Sequence, residues 1–102
     1  MNTFGISEQS YFLIERTLKS YSEIEGVIIF GSRAKGNFRK GSDIDLALKG
    51  VQINEELIIS ISAILNERLN IPYKIDVLAY QLIENTDLKD HIDRVGLDFL
   101  AI

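Results

Sequence analysis

Residues 27–48 read VIIFGSRAKGNFRKGSDIDLAL, and their pattern decides the fold. Val27-Ile28-Ile29-Phe30 is short, mostly β-branched and apolar at every position, as a strand covered on both faces requires. Gly31 ends that strand. Gly36 and Gly41 keep the next stretch a loop, with room for one helical turn at 32–35. From Asp43 to Lys49 the chain alternates: Asp43, Asp45 and Ala47 point one way, while Ile44, Leu46 and Leu48 point the other. That period of two is the signature of a half-buried strand.

Working outward, residues 7–20 (SEQSYFLIERTLKS) predict a helix, with Ser7 as N-cap and Tyr11, Ile14 and Leu18 at helical spacing. Residues 54–69 (NEELIISISAILNERL) predict a longer one. Asn54 can cap it, Glu55 and Glu56 suit its first turn, and Leu57, Ile61, Ile64, Leu65 and Leu69 share a face. Pro72 lies beyond its end. Tyr73 to Tyr80, β-branched and aromatic, predicts a third strand. Leu88, Ile92 and Val95 give a last helix over 87–95, stopped by Gly96. The expected order is αββαβα. A long apolar helix between the second and third strands implies a crossover onto the same sheet, hence an α/β sandwich. The apolar tail Leu97, Phe99, Leu100, Ala101, Ile102 is expected to dock, on the chain's own core or on a partner or second copy.

The 102 residues suit a single domain, 1–102, with 46% hydrophobic and 25% charged residues in ordinary globular proportion. No cysteine is present, so disulfides and thiolate metal sites are excluded, and a cytoplasmic address is expected. The first residues carry no basic segment followed by an apolar run, and no stretch approaches the roughly 20 apolar residues of a membrane span. No membrane partner is expected. The net charge of −4 argues against general nucleic-acid binding. Against that background Arg33, Lys35, Arg39 and Lys40 make a local positive patch, suited to a small anion rather than a long polyanion.

Three features carry chemistry. Gly31-Ser32 turns out of a buried strand, where glycine permits close backbone approach and free N–H groups accept phosphate oxygens. Ser32 adds a hydroxyl, and Arg33 and Lys35 add charge; the spacing of a Walker loop is absent. Asp43 and Asp45, one residue apart on a strand, share a face with Cα atoms roughly 6.5–7 Å apart. Asp76 sits mid-strand between Ile75 and Val77, where aspartate is disfavoured. Each has a bland alternative: an ordinary turn, a solvent-facing edge, an exposed edge position. Should the third strand pair beside the second, the three carboxylates would approach one another. Two carboxylates about 4 Å apart repel by roughly 4 kcal/mol at an effective dielectric near 20. Lys74 is the one cation on the same strand face, so a hard divalent cation is the natural neutraliser, Mg²⁺ or Mn²⁺ on all-oxygen ligands.

These residues resemble a known family. A hydrophobic strand, Gly-Ser, Asp-x-Asp between hydrophobics and a third Asp on a later strand (IIFGSRAKGNFRKGSDIDLAL, then KIDVL) are similar to the DNA polymerase β-type nucleotidyltransferase superfamily. The likeness is to its minimal nucleotidyltransferase (MNT) branch, small domains with a GSRA-[KR]-G loop, and it runs from the first helix to the last. The resemblance implies a mixed sheet with helices on one side and a two-metal phosphoryl-transfer site. Gly31 and Ser32 would grip the β- and γ-phosphates of a nucleoside triphosphate, ATP or another, and Arg33 and Lys35 would counter charge on the leaving pyrophosphate. Asp43 and Asp45 would hold Mg²⁺, and Asp76 would complete the second metal and orient or deprotonate the acceptor hydroxyl.

Polymerases and aminoglycoside nucleotidyltransferases carry further domains that shape the acceptor pocket. Their lack here implies an acceptor that is, or is presented by, another protein. Family members of this size resemble antitoxins whose partner is a helical HEPN ribonuclease toxin, with adenylyl transfer to a partner tyrosine as the implied chemistry. Two other readings stay open: a binding module that neutralises its partner by contact alone, and an aminoglycoside-type enzyme that completes its pocket as a homodimer. His91 is read as a solvated helix residue beside Asp90 and Asp93; Tyr73 and Tyr80 are read as packing on the sheet, with base stacking as the alternative.

Overall fold

The computed structural model describes residues 2–100. The chain opens with helix α1 (Glu8–Lys19), whose Ser7 hydroxyl accepts from the Ser10 N–H at 3.3 Å, the expected N-cap. Strand β1 (Gly26–Phe30) leads through Gly31 into a single helical turn, α2 (Ser32–Lys35), which Gly36 closes in the left-handed conformation. Strand β2 (Ile44–Lys49) follows. Helix α3 (Glu55–Ala63) starts at Asn54, whose side chain accepts from Leu57 N–H at 2.9 Å. Strand β3 (Ile75–Ala79), helix α4 (Thr86–Val95) and strand β4 (Leu97–Leu100) complete the chain.

The four strands form one mixed sheet in the order β3-β2-β1-β4. β1 is antiparallel to both β2 and β4, while β2 and β3 run parallel. A parallel neighbour requires a crossover, and α3 supplies it, as the apolar helix between the strands predicts. The pleat then sorts every strand residue. Val27, Ile29, Ile44, Leu46, Leu48, Ile75, Val77 and Ala79 face Ile14 and Leu18 of α1, Ile61 of α3 and Leu65 just beyond it, making the main core. Ile28, Phe30, Ala47 and Leu78 face the other way, onto Leu88, Ile92 and Val95 of α4. The sheet therefore carries helices on both faces, not on one side as the resemblance implies; the apolar parity of all four β1 positions demands cover on both.

Helix α3 and the tail add detail that the sequence pattern does not give. The predicted helix over 54–69 is α-helical only to Ala63; its last turns, Ile64–Arg68, widen to a π-helix. There the Asn66 amide reaches the outer edge of β3, donating to Ile75 O and accepting from Ile75 N–H, both at 2.8 Å. The tail is the fourth strand: Phe99 and Leu100 are buried on this chain's own core, and Leu97 remains exposed. Ala101 and Ile102 lie outside the described residues. No helix among the described residues is long and apolar enough to cross a membrane.

Candidate functional site: a carboxylate row beside Gly31

Strand register assembles the site. Asp45 pairs with Asp76 across the parallel β2–β3 ladder and with Phe30 across the antiparallel β1–β2 ladder. Phe30, Asp45 and Asp76 thus form one cross-strand row on the face that α4 covers farther along, beyond Ala47 and Leu78. Directly opposed residues on one face stand close enough to interact. Here they do: burial pushes the Asp45 carboxyl up to about 6, and the charges of Asp76 and Asp43 push in the same direction. The carboxyl groups of Asp45 and Asp76 lie within reach of one shared proton.

Gly31 fits under this row. Its φ of 73° with ψ −155° is a glycine-only conformation, and a β-carbon on it would overlap Oδ2 of Asp45. Ser32 opens the α2 turn, whose first N–H groups have no partner within the helix. The structure therefore brings Gly31, Ser32, Asp45 and Asp76 together. Asp43 precedes β2, is exposed, and acts on Asp45 through space. Lys74 stands 3.9 Å from Asp76 on an exposed surface, a weak tether. Lys35 is exposed at the end of α2.

Arg33 does not match its expected part. Its side chain is 2% exposed, and all three guanidinium nitrogens are committed. Nε and Nη2 donate to Ser42 O at 3.1 and 2.8 Å, and Nη1 donates to Phe4 O and Gly5 O at 2.8 and 3.2 Å. The rings of Phe38 and Tyr73 pack on the cation at 5.1 and 4.9 Å. A group so enclosed and committed is not placed to hydrogen-bond pyrophosphate. It ties the N-terminal segment to the residue before Asp43 instead.

Asn66, which pins Ile75 next to Asp76, escaped the sequence reading; a polar side chain within the apolar helix was the available signal. Tyr73 and Tyr80 pack as expected. Tyr73 Oη accepts from Ser7 N–H, and the Tyr80 hydroxyl donates to Asp93 while Lys49 and Lys89 sit over its ring at 5.0 Å. His91 is half-buried, edge-on to Phe30 at 6.2 Å between ring centroids, rather than fully solvated.

Do these residues fit a metal? Among the described residues no three His, Cys, Asp or Glu side chains close into a cage of their own. Mg²⁺ rarely asks for one: it commonly takes one or two carboxylates, substrate phosphates and waters. A half-buried carboxylate pair in contact, with a third carboxylate acting on it, is an all-oxygen donor set of that kind.

The chain matches the family model "Polymerase beta, Nucleotidyltransferase" over residues 13–98. No curated protein matches it. Among solved structures it is similar to a toxin–antitoxin crystallised with AMP-PNP: 17% identity, TM-score 0.71, covering 95% of this chain and 75% of that one. It is also similar to a structure of tri-AMPylated Shewanella oneidensis HEPN toxin in complex with MNT antitoxin: 15% identity, TM-score 0.68, 93% and 72% covered. A third is the toxin–antitoxin MntA-HepT, with 15% identity, TM-score 0.69, and 94% and 74% covered. At these identities the likeness is one of fold. The family model spans β1 through the start of β4, the stretch that sets Gly31 beside the row of Asp45 and Asp76, and the chain belongs to the polymerase β nucleotidyltransferase family.

Proposed function

We propose that this chain transfers AMP from ATP to a hydroxyl on a protein partner, a tyrosine of a HEPN-type toxin, and acts as the antitoxin of that pair. One observation carries the reading: Asp45 and Asp76 oppose each other on one sheet face beside Gly31-Ser32. Membership of the nucleotidyltransferase family and the toxin–antitoxin neighbours support it.

In this reading Gly31 and Ser32 hold the triphosphate tail, with Lys35 as the mobile countercharge. Asp43, Asp45 and Asp76 hold Mg²⁺ or Mn²⁺, which supplies charge neutralisation at the phosphates. Asp76, at the open edge strand, takes the proton of the acceptor hydroxyl. The hydroxyl oxygen bonds to the α-phosphorus, the bond from that phosphorus to the bridging oxygen breaks, and pyrophosphate leaves. Proton removal and fixed orientation are each worth orders of magnitude in rate.

Incubation with α-labelled ATP, Mg²⁺ and a HEPN-type toxin protein tests the reading. Covalent label on the partner, lost with Asp76→Asn, is the expected result. Protection from the toxin by both proteins without any label would instead make the chain a contact inhibitor. Label on an aminoglycoside alone would move the acceptor to small molecules.

A further inference from the structure

A second feature lies at the same end of the sheet, on the side of α1 and α3. A cavity of about 540 Å³ opens between the loop after α2 and the segment before β3. Phe38, Pro72 and Tyr73 wall it, and the buried Arg33 guanidinium packs on both aromatic rings. Arg39 and Lys40, both exposed, stand at its mouth. Among the described residues the ion pairs are Lys19–Glu15 and Lys74–Asp76, so no carboxylate neutralises any of these three cations. On a chain of net charge −4 this is a local surplus of positive charge against apolar walls, which draws anions toward it.

The position matters as much as the charge. Tyr73 comes three residues before Asp76, and Gly41 two before Asp43. The Ile44 N–H donates to Lys74 O at 2.9 Å, joining the two strand starts. At no more than about 3.3 Å per residue, Tyr73 lies within roughly 10 Å of Asp76 along the chain.

We propose that this cavity docks the acceptor segment of the protein substrate: an extended stretch whose aromatic side chain seats against Phe38 and Tyr73, with flanking Asp or Glu facing Arg39 and Lys40. The inference rests on the transferase reading above and adds what the acceptor must look like. A phosphate ligand fits less well, because phosphate wants a free guanidinium fork and the nitrogens of Arg33 already bond backbone carbonyls. What Arg33 offers the cavity is its field and the two rings packed on it. The reacting hydroxyl must pass round the end of the sheet, so it belongs to a residue about three or four positions from the anchored aromatic.

The test is fluorescence anisotropy of a labelled peptide, Asp-Glu-Phe-Glu-Asp, on the full chain without ATP. Alongside it run a peptide with Ala for Phe, one with Lys for the acids, and the variant Arg39→Glu/Lys40→Glu. The expected result is binding of the acidic aromatic peptide at least tenfold tighter than either control, weakened tenfold or more by the charge reversal, with an unchanged melting temperature. Equal binding of the Ala peptide would reduce the effect to surface charge and overturn the proposal. So would competition by AMP that the charge reversal abolishes, which would make the cavity a nucleotide site. In the labelling assay the same variant should raise the half-saturating acceptor concentration about tenfold. Label transfer by the wild type with no such rise overturns the docking site alone. Absence of transfer by the wild type overturns the transferase reading, and the peptide arms still decide the cavity.

Discussion

The Cα of Gly31 lies directly beneath the Asp45 carboxylate, so close that any side chain at position 31 would occupy the space of Oδ2. Strand β1 thus ends in a backbone geometry that only glycine adopts, and the carboxylate uses the room left over. Gly31→Ala should lose about 1–3 kcal/mol from backbone strain alone and displace Asp45 from its row. Urea denaturation checks the first effect. The labelling assay checks the second, with the expectation that activity falls further than the folded fraction.

Asp45 is held against its own preference. Burial and two neighbouring carboxylates raise it from 3.8 to about 6, so the folded chain binds this proton more tightly than the unfolded chain does. The sign follows: its contribution to stability is fully present below pH 3.8 and is lost as pH rises through 6. For a half-exposed carboxyl, solvent screening leaves on the order of 1 kcal/mol. In EDTA, the stability of wild type minus that of Asp45→Asn should fall mainly between about pH 4 and 6.5 and level off above. A flat difference curve would show that the pair is not coupled.

The same strain predicts a trade. At pH 8 without metal, Asp45→Asn should melt higher than wild type, because it removes a repelled charge. With Mg²⁺ at 100 times its dissociation constant the wild type should gain roughly 2.7 kcal/mol, and the variant much less. Thermal melts with and without metal make the comparison; equal gains in both proteins would remove Asp45 from the ligand set.

Arg33→Met should destabilise by about 2–4 kcal/mol, since Ser42, Phe4 and Gly5 carbonyls lose their charged donor. Arg33→Lys should recover less than half, because one ammonium cannot replace a planar fork that reaches two chain segments at once. Denaturant titration of the two variants measures both.

Asn66→Ala should lose about 1–3 kcal/mol, as two backbone groups of Ile75 on the outer edge of β3 lose their partner. Transfer should drop beyond the change in folded fraction, because Asp76 is the next residue. Asn66→Asp, which can accept from Ile75 N–H but cannot donate to Ile75 O, should fall between the two.

Most of the fold was legible because its signals are local. The all-apolar Val27–Phe30 run announces a doubly covered strand, and the alternation after Asp43 fixes which face the carboxylates share. Asp76 follows once α3 is read as a crossover that sets β3 beside β2. What stayed hidden depends on partners distant in sequence. β4 is four residues long with an irregular register against Val27 and Ile28, so its alternation is broken. The π-turn at Ile64–Arg68 carries Asn66, whose amide bonds Ile75 on β3. Arg33 reads as a phosphate ligand until the carbonyls of Phe4 and Gly5, nearly thirty residues earlier, are found around it.

Phe4 and Gly5 are wired by Arg33 to the turn that presents Asp43, so a change in that opening segment should be felt at Asp43. One cation thus carries the geometry of a segment nearly thirty residues upstream to the loop that leads into the second strand.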